Sequence, residues 1–114
     1  MKTYAIIPAR SGSVGLADKN IKLINNKPLL SYSISFAKKL DGINKIICST
    51  DSNKYAEIAL KYGAEVPFLR SKKASSGKAM EEDILKDLRL KFLQNKIDEP
   101  DLIVWLRPTF VFRS

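Results

Sequence analysis

The chain has 114 residues, with 20 Lys and Arg against 12 Asp and Glu for a formal charge of +8, one cysteine and no histidine. That length suits a single domain and leaves no room for a second; a lone Cys48 excludes an internal disulfide and a multi-cysteine metal site, and the lack of histidine removes the commonest general base. The positive charge raises nucleic acid as a partner, but the lysines are scattered, paired only at Lys38-Lys39 and Lys72-Lys73, with no basic stripe interleaved with aromatics, so no nucleic acid is expected.

Tyr4 to Pro8 is the first predicted strand, too short for a helix of its own and ended by Pro8. It runs into Pro8-Ala9-Arg10-Ser11-Gly12-Ser13-Val14-Gly15, where two glycines allow a sharp turn that turns N–H groups toward an anion. Arg10 and Lys19 bring positive charge to the two ends of this loop, one as a planar bidentate donor and the other as a compact point charge. The stretch therefore reads as a phosphate-binding turn. It has neither the Gly-x-Gly-x-x-Gly pattern of dinucleotide folds nor the Gly-Lys-Ser/Thr ending of a Walker A loop.

Pro28 to Leu40 is predicted helical, with proline at its start, Leu29, Ile34, Phe36, Ala37 and Leu40 as apolar surface, and Gly42 as its stop. Lys45 to Ser49 is the second strand, and Cys48 within it is expected to be an inert buried thiol. Asp51 or Ser52 caps a helix running to Tyr62 and stopped by Gly63. Glu65 to Leu69 is the third strand. The polar run Ser71 to Lys78 is a loop, and the longest helix covers Glu81 to about Asn95, with Ile84, Leu85, Leu88, Phe92 and Leu93 on one stripe. Glu81-Glu82-Asp83 is better explained as an acidic first turn at the positive end of the helix dipole than as a metal site. Leu102 to Leu106 is the fourth strand. This alternation predicts an α/β fold, a Rossmann-like open sheet of mainly parallel strands with helices on both faces, as one domain over residues 1–114.

Five motifs in order carry a resemblance. They are Pro8-Ala9-Arg10-Ser11-Gly12-Ser13 with Lys19-Asn20; Lys27-Pro28-Leu29-Leu30 with Tyr32-Ser33-Ile34; Ser49-Thr50-Asp51-Ser52; Tyr62-Gly63-Ala64-Glu65-Val66-Pro67-Phe68-Leu69-Arg70; and Leu106 with Pro108-Thr109 and Arg113. Together they resemble the acylneuraminate cytidylyltransferases, which activate sialic and related nonulosonic acids as CMP-sugars, over about the first half of a typical member. The resemblance implies a nucleotidyltransferase-type fold with strand order three-two-one-four and the nucleotide at the carboxyl ends of strands one and four. It implies CTP and a sugar acid as substrates, with CMP transferred to the acid and pyrophosphate released. Arg10, Asn20 and Arg70 match CTP-binding positions, and Lys19 matches a lysine close to the phosphates. Arg10 and Lys19 are the candidate catalytic residues; Ala9, Arg10, Ser11, Gly12, Ser13, Asn20, Arg70 and Arg107 are the candidate nucleotide-binding set. Mg²⁺ is expected for the family, but its aspartate ligands and most of the sugar-acid pocket belong to the half with no counterpart here, so no metal ligand is assigned.

The chain departs from the family pattern at three places. Val14 stands where a lysine is usual, Arg107 where a glutamine precedes Pro-Thr, and Phe110-Val111-Phe112 where Ser-Pro-Leu is usual. Matching the loop after Arg70 also needs a one-residue gap, which sets Ala79 and Met80 near hydroxyl-bearing positions. Two functions stay open: the CTP-binding part of a transferase, with the isolated chain weak or inactive, or a non-catalytic nucleotide-binding or interaction module on the same fold. Strand four would expose an edge suited to a homo-oligomer or a separate second half. No apolar run approaches the ~20 residues that span a bilayer, and Met1-Lys2 leads straight into the first strand, so no membrane partner and a cytoplasmic location are expected.

Overall fold

A computed structural model describes residues 1–9, 23–24, 26–69 and 81–107. Its elements are β1 (Thr3–Pro8), β2 (Leu23–Ile24), β3 (Lys27–Pro28), α1 (Leu29–Lys38), β4 (Lys45–Ser49), α2 (Asn53–Lys61), α3 (Glu81–Gln94) and β5 (Leu102–Trp105). β1 is central. It pairs in parallel with β4 on one side, Ala5 opposite Ile46, and with β5 on the other, Ala5 opposite Val104. Beyond β4, Glu65 forms a single parallel bridge with Ile47, so the sheet has the expected order three-two-one-four.

The pleat explains both layers. Ala5, Ile7 and Cys48 project to one face, where they pack with Leu30, Ile34 and Ala37 of α1 and Tyr55 and Ala59 of α2. Tyr4, Ile6 and Ile47 project to the other and meet Leu88 and Phe92 of α3. Phe92 sits edge-on to two rings, with centroids 5.8 Å from Tyr4 and 5.7 Å from Phe68. Both faces of β1 are thus covered, which is why Tyr4 to Ile7 is continuously apolar rather than alternating. A reciprocal pair pins the register at the open end: Thr3 N–H donates to Asn44 Oδ1, and Asn44 N–H donates to the Thr3 carbonyl, both at 2.8 Å. The Tyr4 hydroxyl donates to the Asp98 carbonyl at 2.7 Å and ties the loop before β5 to the same end.

Helix ends follow local chemistry. Ser52, not Asp51, is the N-cap of α2, its hydroxyl accepting from Tyr55 N–H at 3.3 Å. α2 stops in a Schellman turn, Gly63 N–H bonding Leu60 O and Ala64 N–H bonding Ala59 O, with Gly63 at φ +102°. α3 ends the same way, Lys96 N–H to Leu93 O and Ile97 N–H to Phe92 O, but the left-handed position at φ +56° is held by Lys96.

The structure differs from the expectation in four features. The third strand, expected over Glu65 to Leu69, shrinks to the Glu65 bridge, because Pro67 lacks the N–H that a continuing ladder needs. Leu93 was placed on the buried stripe of α3 but is 77% exposed, since it lies one residue, or 100°, past Phe92. The fourth strand ends at Trp105, although Leu106 N–H still bonds Ile6 O. The hairpin of β2 and β3, with Leu23 opposite Pro28 and Asn26 at φ +67°, was not anticipated. No helix among the described residues is long and apolar enough to cross a membrane.

Candidate functional site

Parallel strands bring their carboxyl ends to one edge of the sheet. The chain leaves β1 for β4 on one side and returns to β5 on the other, so the crevice beyond β1 and β5 is the topological switch point where open α/β sheets take ligands. Ala9 and Arg107 stand at its two sides.

Ala9 is fully buried, and its N–H is committed to the Ser49 carbonyl at 2.8 Å. Its backbone thus extends the β1–β4 ladder one residue beyond β1. Arg107 is exposed, two residues past β5. Its main chain is held from beneath: Ser33, buried in the middle of α1, donates its hydroxyl to the Arg107 carbonyl at 3.1 Å. Ser31, two residues earlier, instead bonds the Pro28 carbonyl of its own first turn at 2.7 Å. One helix therefore carries two buried serines with different tasks, one local and one spanning 74 positions of sequence.

At the end of β4, Ser49 and Thr50 are buried, and Thr50 Oγ1 accepts from Ser52 N–H at 3.2 Å. Ser-Thr-Asp-Ser is thereby a strand-to-helix turn with a side-chain brace and a cap, as its residue types suggest. Of the predicted site residues, the structure brings Ala9 and Arg107 to the switch point. Arg10, Ser11, Gly12, Ser13, Lys19, Asn20 and Arg70 lie outside the described residues, as do Val14, Ala79, Met80 and Phe110-Val111-Phe112. Ser33 was not singled out for a role. Its only signal is a hydroxyl set among Leu29, Leu30, Ile34 and Ala37 on the buried side of α1.

Among the described residues no group of three or more His, Cys, Asp or Glu could hold a metal ion. Among the described residues, the ionisable groups with displaced pKa values lie at the opposite end of the sheet. Lys2 and Asp98 form an exposed ion pair, in which the side-chain hydrogen bond holds the ammonium above and the carboxyl below its ordinary range.

The cytidylyltransferase family profile matches residues 4–103. The CMP-N,N'-diacetyllegionaminic acid synthase of Legionella pneumophila is 38% identical over all 114 residues, which make up 49% of its length. The N-acylneuraminate cytidylyltransferase of Escherichia coli is 44% identical over 85 residues, 75% of this chain and 20% of that protein. Among solved structures, a CMP:2-keto-3-deoxy-manno-octonic acid synthetase complexed with CTP superposes with a TM-score of 0.74 at 21% identity, over 95% of this chain and 40% of its own. A cytidylyltransferase from Leptospira borgpetersenii superposes at 0.69 with 25% identity, over 95% and 42%. The chain spans about half the length, or less, of these relatives. The sheet order, the two helical layers and a family match running from β1 into β5 agree, and the chain belongs to the cytidylyltransferase family.

Proposed function

We propose that this chain is the CTP-binding part of a cytidylyltransferase that transfers CMP from CTP to a sialic-acid-like sugar acid. In that reaction a sugar hydroxyl oxygen bonds to the α-phosphorus as the bond to the bridging oxygen breaks; pyrophosphate leaves and the hydroxyl proton passes to solvent. The observation that carries the reading is a basic residue held at the switch point, Arg107, whose carbonyl is tied to α1 through Ser33 in a chain matched by the family along nearly its whole length. A guanidinium there offers a planar pair of N–H donors suited to a phosphate.

Arg10 and Lys19, placed by sequence in the loop that leaves Ala9, are assigned to phosphate charge. Ser11, Gly12, Ser13, Asn20 and Arg70 are assigned to holding the nucleotide. No step is routed through Mg²⁺. Sialic, legionaminic and pseudaminic acids are the sugar-acid class suggested by relatives named for those substrates.

A second reading, a nucleotide-binding module without turnover, is favoured by the departures from the family pattern at Val14 and Arg107. Calorimetric or NMR titration with CTP, with ATP and GTP as controls and with and without Mg²⁺, tests both. Preferential CTP binding that weakens in Arg10→Ala, Arg70→Ala and Arg107→Gln supports the site, and release of pyrophosphate on adding a sugar acid then selects the transferase. No preference for CTP over ATP and GTP refutes the assignment.

A further inference from the structure

The connection from α1 to β4 carries the pair Asp41-Gly42, both residues exposed. An aspartyl side chain sets its carboxyl carbon close to the main-chain nitrogen of the next residue. A five-membered imide ring closes where that nitrogen is uncommitted, unshielded and free to rotate toward the carboxyl.

The fold withholds those conditions at the other described aspartates. After Asp51 the nitrogen belongs to Ser52 and is bonded to Thr50 Oγ1 at 3.2 Å. After Asp101 it belongs to Leu102 and is bonded to the Lys2 carbonyl at 3.1 Å, while the Asp101 carboxylate accepts from Lys2 N–H at 2.8 Å. Asp83 and Asp87 lie inside α3, where helical dihedrals fix the backbone and the bulky Ile84 and Leu88 follow. The Asp98 carboxylate is held by the Lys2 ammonium.

Gly42 differs on each count. Among the described residues its N–H enters no hydrogen bond. It has no side chain to shield the nitrogen, and nothing lies within 4 Å of the place a Cβ would take. It sits at φ +82° in a turn outside both α1 and β4, so neither helix nor ladder holds its dihedrals.

We propose that Asp41 is a modification site, the position at which this protein isomerises to isoaspartate. The Gly42 nitrogen bonds to Asp41 Cγ; the nitrogen gives up its proton and the carboxyl its hydroxyl, which leave together as one water. Water then adds to the main-chain carbonyl of the ring and breaks its bond to nitrogen, so that Cγ stays joined to Gly42 and the α-carboxyl is freed. One water is lost and one gained, the mass is unchanged, and no oxidant or cofactor takes part. The main chain now runs through Asp41 Cβ and is one methylene longer, three residues before the Asn44 that pins Thr3. The freed α-carboxyl is a substrate for the class of carboxyl methyltransferases that use S-adenosylmethionine.

The proposal is independent of the nucleotide assignment. Its test holds the folded 114-residue chain at neutral pH and body temperature for several weeks. Isoaspartate is counted by methyl transfer from S-adenosylmethionine with an isoaspartyl methyltransferase and placed by peptide mapping. Position 41 is expected to carry at least tenfold more than each of Asp51, Asp98 and Asp101. Asp41→Glu, whose ring would be six-membered, keeps the charge and removes the signal at this position; Asp41→Asn, which loses ammonia in place of water, accelerates it. Urea frees the Ser52 and Leu102 nitrogens and narrows the gap between Asp41 and both Asp51 and Asp101. The proposal is overturned if the folded chain carries no isoaspartate at position 41, if Asp51, Asp98 or Asp101 reaches the level of Asp41, if Asp41→Glu retains the full count, or if urea leaves the ratios unchanged.

Discussion

Ser33→Ala isolates the strut under the switch point. The hydroxyl is fully buried and donates to the Arg107 carbonyl, so its removal deletes one hydrogen bond. One intramolecular hydrogen bond contributes about 0.5–1.5 kcal/mol net, so the expected loss is about 1 kcal/mol. For a domain of this size that lowers Tm by roughly 4 °C or a little more. The functional effect is separable from the thermal one: with the end of β5 released, CTP affinity falls at temperatures far below unfolding. Ser33→Cys, which keeps the volume and a weak donor, restores part of both. Thermal unfolding and CTP titration on the three proteins check this, with the Arg107 carbonyl carbon shift as a local reporter. An unchanged Tm together with an unmoved Arg107 carbonyl resonance would refute the strut.

Other outcomes follow from features away from the site. The two Schellman turns predict opposite responses: Gly63→Ala forces a side chain to φ +102° and costs at least about 1–2 kcal/mol, whereas Lys96→Gly removes similar strain and, after the extra chain entropy of glycine, stabilises by roughly 0.5–1 kcal/mol; both are read by urea unfolding. Phe92→Ala removes the ring between Tyr4 and Phe68 and costs about 3–5 kcal/mol, enough to threaten the fold. The Lys2–Asp98 pair sets a small pH dependence. Because the folded carboxyl titrates below its unfolded value, its contribution is full above the ordinary carboxylate range and disappears as pH falls through the depressed folded value. Lys2, raised in the fold, contributes below the ordinary lysine range and loses that contribution as pH rises through its raised value. Asp98→Asn therefore lowers Tm slightly at neutral pH and not in strong acid, and salt narrows the difference.

The legible parts of this fold are those in which one local rule dominates. A continuous apolar run between polar ends marks β1, and Gly63 marks the end of α2, because burial and backbone freedom act within a few residues. Sheet order was available through right-handed crossovers and the family likeness. Two-residue strands carry no periodicity, so β2 and β3 left no trace. Val66-Pro67 has the apolar character of a continuing strand, but proline's missing donor ends the ladder at the Glu65 bridge. Leu93 was counted with Phe92 although a helix turns 100° between them. At the site, Ala9 and Arg107 were reachable through motif positions; Ser33 was not, because its partner lies 74 residues away and only the folded sheet brings them together.

Cys48 gives this architecture a built-in clock. Its thiol is only 1% exposed, in the layer between β4 and the pair α1 and α2. An alkylating reagent reaches it only when that layer parts. The labelling rate at trace reagent therefore reports the population of opened molecules, and the rate at saturating reagent reports how often they open. The chain's single cysteine makes the signal unambiguous. The effect of a substitution anywhere in the fold on the lifetime of the folded state can be timed from this one sulfur, with no label introduced into the protein.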